Sequence, residues 1–304
     1  MSIDGESVGK AHDVTVVGCG LMGAALARTF ARSGLSVAVW NRTAEKAEAL
    51  ASERIEPVRD IAHAVTSAPL VVSCLLSYDA TTEALDPVAD WTGVTLVNVA
   101  SGSPTEVAAL DRWAAGRGAR HLDGALICYP DDIGTSEAAV LYSGSAQAWE
   151  EHQGPLLILA ESSLHVSEQV TVASVLNVGL IGAFFVPALS AYVEAVTYAL
   201  DNGVTPEMLG LLSQVSLEKL HQETTHVAQS IASGDHASNQ ATVDTYLEAA
   251  RPALDVLRGA GQHGRVLAAA VANLRAAADA GLGGQGFGAQ SRTAATAPRP
   301  GDGR

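Results

Sequence analysis

Gly18, Gly20 and Gly23 stand at the spacing G-x-G-x-x-G, in the run Gly18-Cys19-Gly20-Leu21-Met22-Gly23. A β-branched run precedes them and a helical pattern follows. In that setting Gly18 permits a tight turn and Gly20 lets backbone approach a pyrophosphate. Gly23 lets helix and strand pack closely, and the helix N-terminus faces negative charge. The chemistry implied is dinucleotide binding. The second apolar run ends in Trp40-Asn41-Arg42-Thr43, with Lys46 one turn further on. An NAD site would carry Asp or Glu there to hold the ribose 2′-hydroxyl. A guanidinium flanked by amide and hydroxyl groups suits a 2′-phosphate instead, so the expected cofactor is NADPH.

Other residues that could do chemistry lie further along. Tyr129 and the pair Asp131-Asp132 follow an apolar run and could offer a proton or attract a cationic amine; a loop aromatic and a solvated turn explain them as well. Glu194 and His236 are weaker acid candidates. His221 and His226 are five apart, so on a helix they diverge by about 140° and do not form the HExxH zinc site. Ser77-Tyr78-Asp79 and Ser143-Gly144-Ser145 read as a helix cap and as a turn with cap. No metal site is expected.

The elements that must position these residues alternate. Strands are expected at 14–17, 36–40, 55–58, 70–75, 94–99, 121–126 and 140–142. Helices are expected at 21–33, 44–53, 61–66, from 79, and from Pro104. This spacing implies a parallel, doubly wound sheet, an α/β Rossmann domain over residues 13–167. Beyond it the strand signals stop. Residues 168–201 can run as one interdomain helix of about 50 Å, with a kink expected at Pro187 and an end at Asn202-Gly203. An all-α domain over 202–290 follows. Thr205-Pro206 starts it, and helices are expected near 215–230, 243–259 and 264–280. The ends, 1–12 and 291–304, read as disordered.

Composition limits the partners. The 304 residues carry a formal net charge of −15, with lysine only at positions 10, 46 and 219. That balance argues against nucleic acid and anionic membrane, and its plainest meaning is solubility. Cys19, Cys74 and Cys128 are isolated and odd in number, as reduced cytoplasmic thiols are. Residues 1–12 lack the apolar core of a signal peptide. Residues 172–189 are apolar enough to raise a membrane span, but their flanks are acidic. A helix enclosed by protein fits better. One small chain cannot enclose it, so a dimer whose helices wrap one another is expected.

The motifs together resemble one family, the NADPH-dependent imine reductases and reductive aminases of the β-hydroxyacid dehydrogenase superfamily. The segments that carry the likeness are GCGLMGAALA, VAVWNRT, CLLSYDA, VNVASGSPTE, HLDGALICYPDDIGTSEAAVLYSGS, ASVLNVGLIGAFF, IASGDHASNQATVDTYLEA and ADAGLGGQGF, spread over residues 14–287. The resemblance implies hydride transfer from NADPH to the carbon of a C=N bond. The implied substrates are a small cyclic imine, or a carbonyl plus an amine. It also implies a homodimer with swapped C-terminal helices. By position, Cys74, Leu75 and Leu76 would line the nucleotide, and Ser101 and Ser103 the nicotinamide ribose. Phe185, Tyr192 and His236 would belong to the substrate pocket, Phe185 standing where many members have a tyrosine. The superfamily's catalytic lysine is replaced by Asn177, where many imine reductases have aspartate or tyrosine. Asn177 can hydrogen-bond but is no acid near neutral pH. The expectation is that Asn177 anchors the substrate and Tyr129 is the alternative proton donor. A related NADP-dependent carbonyl or hydroxyacid oxidoreductase, and a weakly catalytic NADPH-binding protein, are the competing readings.

Overall fold

The computed structural model describes residues 11–294. Two compact units divide between Phe184 and Phe185.

The first unit is built on β1 (Val14–Val17), α1 (Leu21–Arg32), β2 (Val37–Trp40), α2 (Ala44–Glu48) and β3 (Ile55–Pro57). It continues with α3 (Ile61–Thr66), β4 (Leu70–Ser73), α4 (Tyr78–Leu85), β5 (Thr95–Asn98) and α5 (Pro104–Ala115). Then come β6 (Arg120–Ile127), β7 (Ala139–Gly144), α6 (Ala146–Leu159) and β8 (Leu164–Ser167). Valine and leucine fill β1, β2, β4 and β5 almost without a polar break, because helices cover both faces of a parallel sheet. The sheet order is β3-β2-β1-β4-β5-β6-β7-β8. The order reverses between β1 and β4, which opens the crevice where such sheets bind ligands.

The parallel sheet expected from the sequence is corrected at one edge, where β7 runs antiparallel to β6. A parallel return needs a crossover of a dozen or more residues. Between β6 and β7 lies only a one-turn 3-10 helix, Pro130–Asp132, so the chain folds straight back. The longer α6 then carries it to β8, parallel to β7. Ser77 and Ser145 cap α4 and α6 as expected, accepting the Ala80 and Ala148 N–H at 3.1 and 3.2 Å. His12, assigned to the N-terminal tail, is part of the fold: its N–H donates to the Ser67 carbonyl at 3.0 Å. Residues 1–10 of that tail, and 295–304 of the C-terminal one, lie outside the described residues.

The long helix begins four residues later than expected, with α7 (Val172–Leu176). Ser143 sets that start: its hydroxyl donates to the Val170 carbonyl at 2.7 Å and accepts the Ala173 N–H at 2.9 Å. Over Asn177–Phe185 the backbone takes the wider π-helical turn before α8 (Val186–Asp201) resumes α geometry. The irregularity expected at Pro187 therefore lies before it, and Pro187, the second residue of α8, follows directly on the π-helical stretch. The apolar side chains of this stretch are not enclosed: Val175, Val178, Leu180 and Phe184 are exposed in the first unit.

The second unit holds α8, α9 (Pro206–Ser233), α10 (Val243–Gly259) and α11 (Arg265–Ala277). Thr205 caps α9 through the Met208 N–H at 3.3 Å. The helix expected at 215–230 is the second half of this single 28-residue helix, which ends at the left-handed Gly234. Its small core joins Val243, Leu274, Ala277 and Ala289. Ser291 and Arg292, assigned to the tail, belong to a 3-10 turn over Phe287–Arg292.

Candidate active site

Gly18 leaves β1 with φ +103°, a conformation that glycine adopts without strain. Its N–H donates to the Trp40 carbonyl at 2.8 Å, so the turn is stitched to the end of β2. A Cβ at Gly18 would overlap the Cys74 carbonyl, and one at Gly23 would overlap the Gly18 carbonyl. A Cβ at Gly20 would meet nothing within 4 Å. Gly18 and Gly23 are thus fixed by the protein's own packing, whereas Gly20 faces open space at the tip of α1. The N-cap residue of α1, Gly20, has no side chain to cap it, and the helix's first turn holds no acid. Free N–H groups with unopposed helix-dipole charge make this end a seat for an anion. Leu21 and Leu76 stand 85% and 97% exposed beside it, and Met22, Cys74 and Leu75 are half-buried.

Burial pushes the Cys19 thiol up to about 11, against the opposing field of Lys46, and the Cys74 thiol up to about 12. Neither is a nucleophile at neutral pH. All three cysteines are free.

At the end of β2, Asn41 does structural work where the sequence pattern points to ligand contact. Its side-chain oxygen accepts the Cys19 N–H at 2.9 Å and its amide donates to the Thr43 carbonyl at 2.9 Å. It therefore braces the glycine turn. Arg42 is exposed and forms no ion pair among the described residues. It lines a cavity of about 170 Å³ with Trp40, Ala47, Pro57 and Arg59. Arg59 was missed in the sequence. It is held by Glu48 at 2.6 Å, and Trp40 Nε1 donates to its carbonyl at 3.1 Å. Its position after β3 carries no motif.

The loop after β5 brings Ser101 and Gly102 to Asn177. With Val178, Ile181, Gly182 and Ala183 they line a cavity of about 670 Å³. The Ser174 hydroxyl donates to the Gly102 carbonyl at 2.7 Å and fastens loop to helix. Asn177 is half-buried, and its side chain has no hydrogen-bond partner among the described residues. Ser103, expected beside Ser101, turns away. Its hydroxyl donates to Glu106 Oε2 at 2.7 Å and accepts the Glu106 N–H at 3.3 Å, a capping box that starts α5. The bonds from Ser103 hold the Glu106 carboxyl below its usual range.

Tyr129 is not among the side chains lining this cavity. It is 66% exposed, and its N–H donates to Asp132 Oδ2 at 2.7 Å. In the second unit, Phe185 and Tyr192 are exposed, and the Tyr192 hydroxyl pairs with Ser213 at 2.7 Å. His236, expected to face a pocket, is only 5% exposed, with Nδ1 bonded to Ser230 at 2.8 Å. Burial lowers its pKa, and because the Ser230 hydroxyl donates to the Asp235 carbonyl at 2.7 Å, Nδ1–H is the donor to Ser230.

A glycine turn, an uncapped helix and a cationic β2 end define a dinucleotide-binding fold. Residues 13–171 match the NAD binding domain of 6-phosphogluconate dehydrogenase, and residues 170–294 match the NADPH-dependent reductive aminase-like C-terminal domain. An NADPH-dependent reductive aminase of Aspergillus oryzae is 26% identical over 289 residues, covering 92% of this chain and 95% of that protein. The structure of an imine reductase from Pseudomonas sp. superposes with a TM-score of 0.88 at 28% identity, over 92% of this chain and 98% of that one. That of the Myxococcus stipitatus imine reductase in complex with NADP+ gives 0.83 at 30% identity, over 92% and 99%. The chain belongs to the 6-phosphogluconate dehydrogenase NAD-binding family and, within it, to the imine reductases and reductive aminases.

Proposed function

We propose that this protein reduces imines or iminium ions to amines with NADPH. The observation that carries the reading is the cavity joining Ser101 and Gly102 to Asn177, in which none of the seven lining residues is ionisable. Oxidising an alcohol needs a base, and the lysine that serves the hydroxyacid dehydrogenases is absent. An iminium ion arrives already protonated and needs only position and charge stabilisation. NADPH, when bound, supplies the hydride.

The chain's own groups divide the work. The α1 N-terminus and glycine turn seat the pyrophosphate, Arg42 and Lys46 hold the 2′-phosphate, and Ser101 hydrogen-bonds near the nicotinamide ribose. The Asn177 amide oxygen orients the substrate nitrogen. A reductive aminase from Aspergillus terreus, 27% identical with a TM-score of 0.84, has been solved in complex with NADPH4, cyclohexanone and allyl amine. That likeness supports a carbonyl plus an amine as substrates of this chain as well.

The reading extends to a homodimer with swapped C-terminal helices. Val175, Val178 and Leu180 in the first unit, and Val193, Leu211 and Val215 in the second, are exposed apolar side chains that a second copy would cover. The stretch Val172–Asp201 is also long and apolar enough to cross a membrane. A soluble, cytoplasmic protein with this surface in a dimer interface accounts for it and for the free thiols.

The test is product analysis with NADPH deuterated at both C4 positions and a five-membered cyclic imine. Deuterium at the former C=N carbon of the amine is expected. Protein that binds NADPH but yields no amine from several imines would return the weakly catalytic reading, and reduction of ketones alone the carbonyl one. Sedimentation should give twice the 31.2 kDa chain mass; a monomer at micromolar concentration contradicts the dimer.

A further inference from the structure

We infer that Tyr78 is a positioning residue for hydride transfer, its ring seating Gly102 and its hydroxyl, locked to Asp123, fixing that seat. The inference rests on reading the Ser101–Asn177 cavity as the reduction site.

Tyr78 opens α4 and is 3% exposed. Its hydroxyl donates to Asp123 Oδ1 in the middle of β6, where Asp123 is 2% exposed. A Cβ at Gly102 would overlap the Tyr78 ring at Cδ2 and Cε2, so the ring lies directly against the Gly102 backbone. Gly102 has no positive φ, and the need for glycine there comes from this ring. The loop is then held at three points. Tyr78 supports Gly102, Ser174 holds its carbonyl, and Glu106 holds the Ser103 N–H at 2.8 Å. Of these, Tyr78 alone ties the loop to a central strand of the sheet.

A phenylalanine would fill the same space without burying a carboxylate. Packing holds the ring but ties it to no particular atom. A charge-assisted O–H to carboxylate bond in a low-dielectric interior adds that directional tie. Tyr78 is faced by Asp123, by Asn98 of β5 and by Glu106 of α5, while His121 faces Asp123 from its own strand. The carboxylate–phenol pair thus sits between the sheet and the loop that carries Ser101, at the nicotinamide end. The groups that hold the phosphates lie elsewhere, at the α1 N-terminus and Arg42.

The experiment compares wild type, Tyr78→Phe and Asp123→Asn in three readouts. NADPH affinity, measured by nicotinamide fluorescence, should stay within about twofold in both variants, since the phosphate contacts are untouched. The kcat for the cyclic imine should fall about tenfold or more in Tyr78→Phe, with a larger isotope effect from 4-deuterated NADPH and little change in imine KM. Asp123→Asn keeps an acceptor for the phenol and should retain most of kcat. Hydrogen–deuterium exchange in the peptide carrying Ser101–Ser103 should rise in Tyr78→Phe without cofactor. Wild-type kcat, an unchanged isotope effect, a proportional loss of NADPH affinity or unchanged exchange in that peptide would each overturn the inference. Should wild type reduce no imine, the functional reading fails, and the exchange measurement alone decides the positioning role.

Discussion

Ser174 donates its hydroxyl to the Gly102 carbonyl at 2.7 Å, one helical turn before Asn177. The bond fixes the distance between the Ser101 loop and the residue proposed to hold the substrate nitrogen. Ser174→Ala leaves that carbonyl without its donor, at a cost of about 1–3 kcal/mol. The expected result is a lower melting temperature and a fall in kcat/KM for the imine, with NADPH affinity little changed. Thermal melts and steady-state kinetics check it. Undiminished kcat/KM would show that loop and helix hold their spacing without this bond.

Arg42 and Asn41 are neighbours, and different roles are proposed for them. Removing a charge-assisted contact to the 2′-phosphate costs roughly 1.5–3 kcal/mol, so Arg42→Ala should weaken NADPH binding by about tenfold to a hundredfold and leave NADH alone. Asn41→Ala loosens the glycine turn by freeing the Cys19 N–H, and should weaken both cofactors alike. Calorimetry with each nucleotide separates the two. Equal loss of NADPH and NADH in Arg42→Ala would remove it as the selector.

Asn177 is the proposed anchor of the substrate nitrogen. Asn177→Ala should lower kcat/KM for the imine, since the half-buried amide has no other partner among the described residues. Asn177→Asp should keep activity and add a carboxyl titration to the pH profile. Full kcat/KM in the alanine variant would end the anchor idea.

Asp123 makes stability depend on pH. Burial raises its carboxyl to about 6 in the fold, against the lowering effects of the Tyr78 bond and the His121 field. The unfolded chain has the ordinary value of about 3.9. Folded protein therefore holds the proton more tightly than unfolded protein between these values. That contribution is full below about 4 and is lost as pH rises through about 6. Relative to Asp123→Asn, which lacks the titration, wild type should gain stability as pH falls from about 7 to 5. Parallel melting curves for the two proteins would contradict this.

The glycine turn and the cationic β2 end were legible because each lies in a strand–helix unit whose pattern fixes where it points. Ser103-Pro104-Thr105-Glu106 carries the cap signature S-x-x-E, and the capping box that forms there was legible in the sequence beside the ligand role expected for Ser103. Asn41 reads as a donor in sequence, but its bonds depend on where Cys19 comes to rest. The strand β8 escaped notice because its four residues, Leu164–Ser167, are half exposed at the sheet edge and lack a buried apolar run. The π-turn beginning at Asn177 has no sequence signal, since any apolar helix former is compatible with it. The Tyr78–Asp123 pair was invisible because its members are 45 residues apart on different elements.

Imine reduction by NADPH is tested most directly by following NADPH absorbance with purified protein and a small cyclic imine, with NADH as the control. Imine-dependent loss of NADPH and little activity with NADH are the predicted result. NADPH that binds tightly and is not consumed with any of several imines would contradict it.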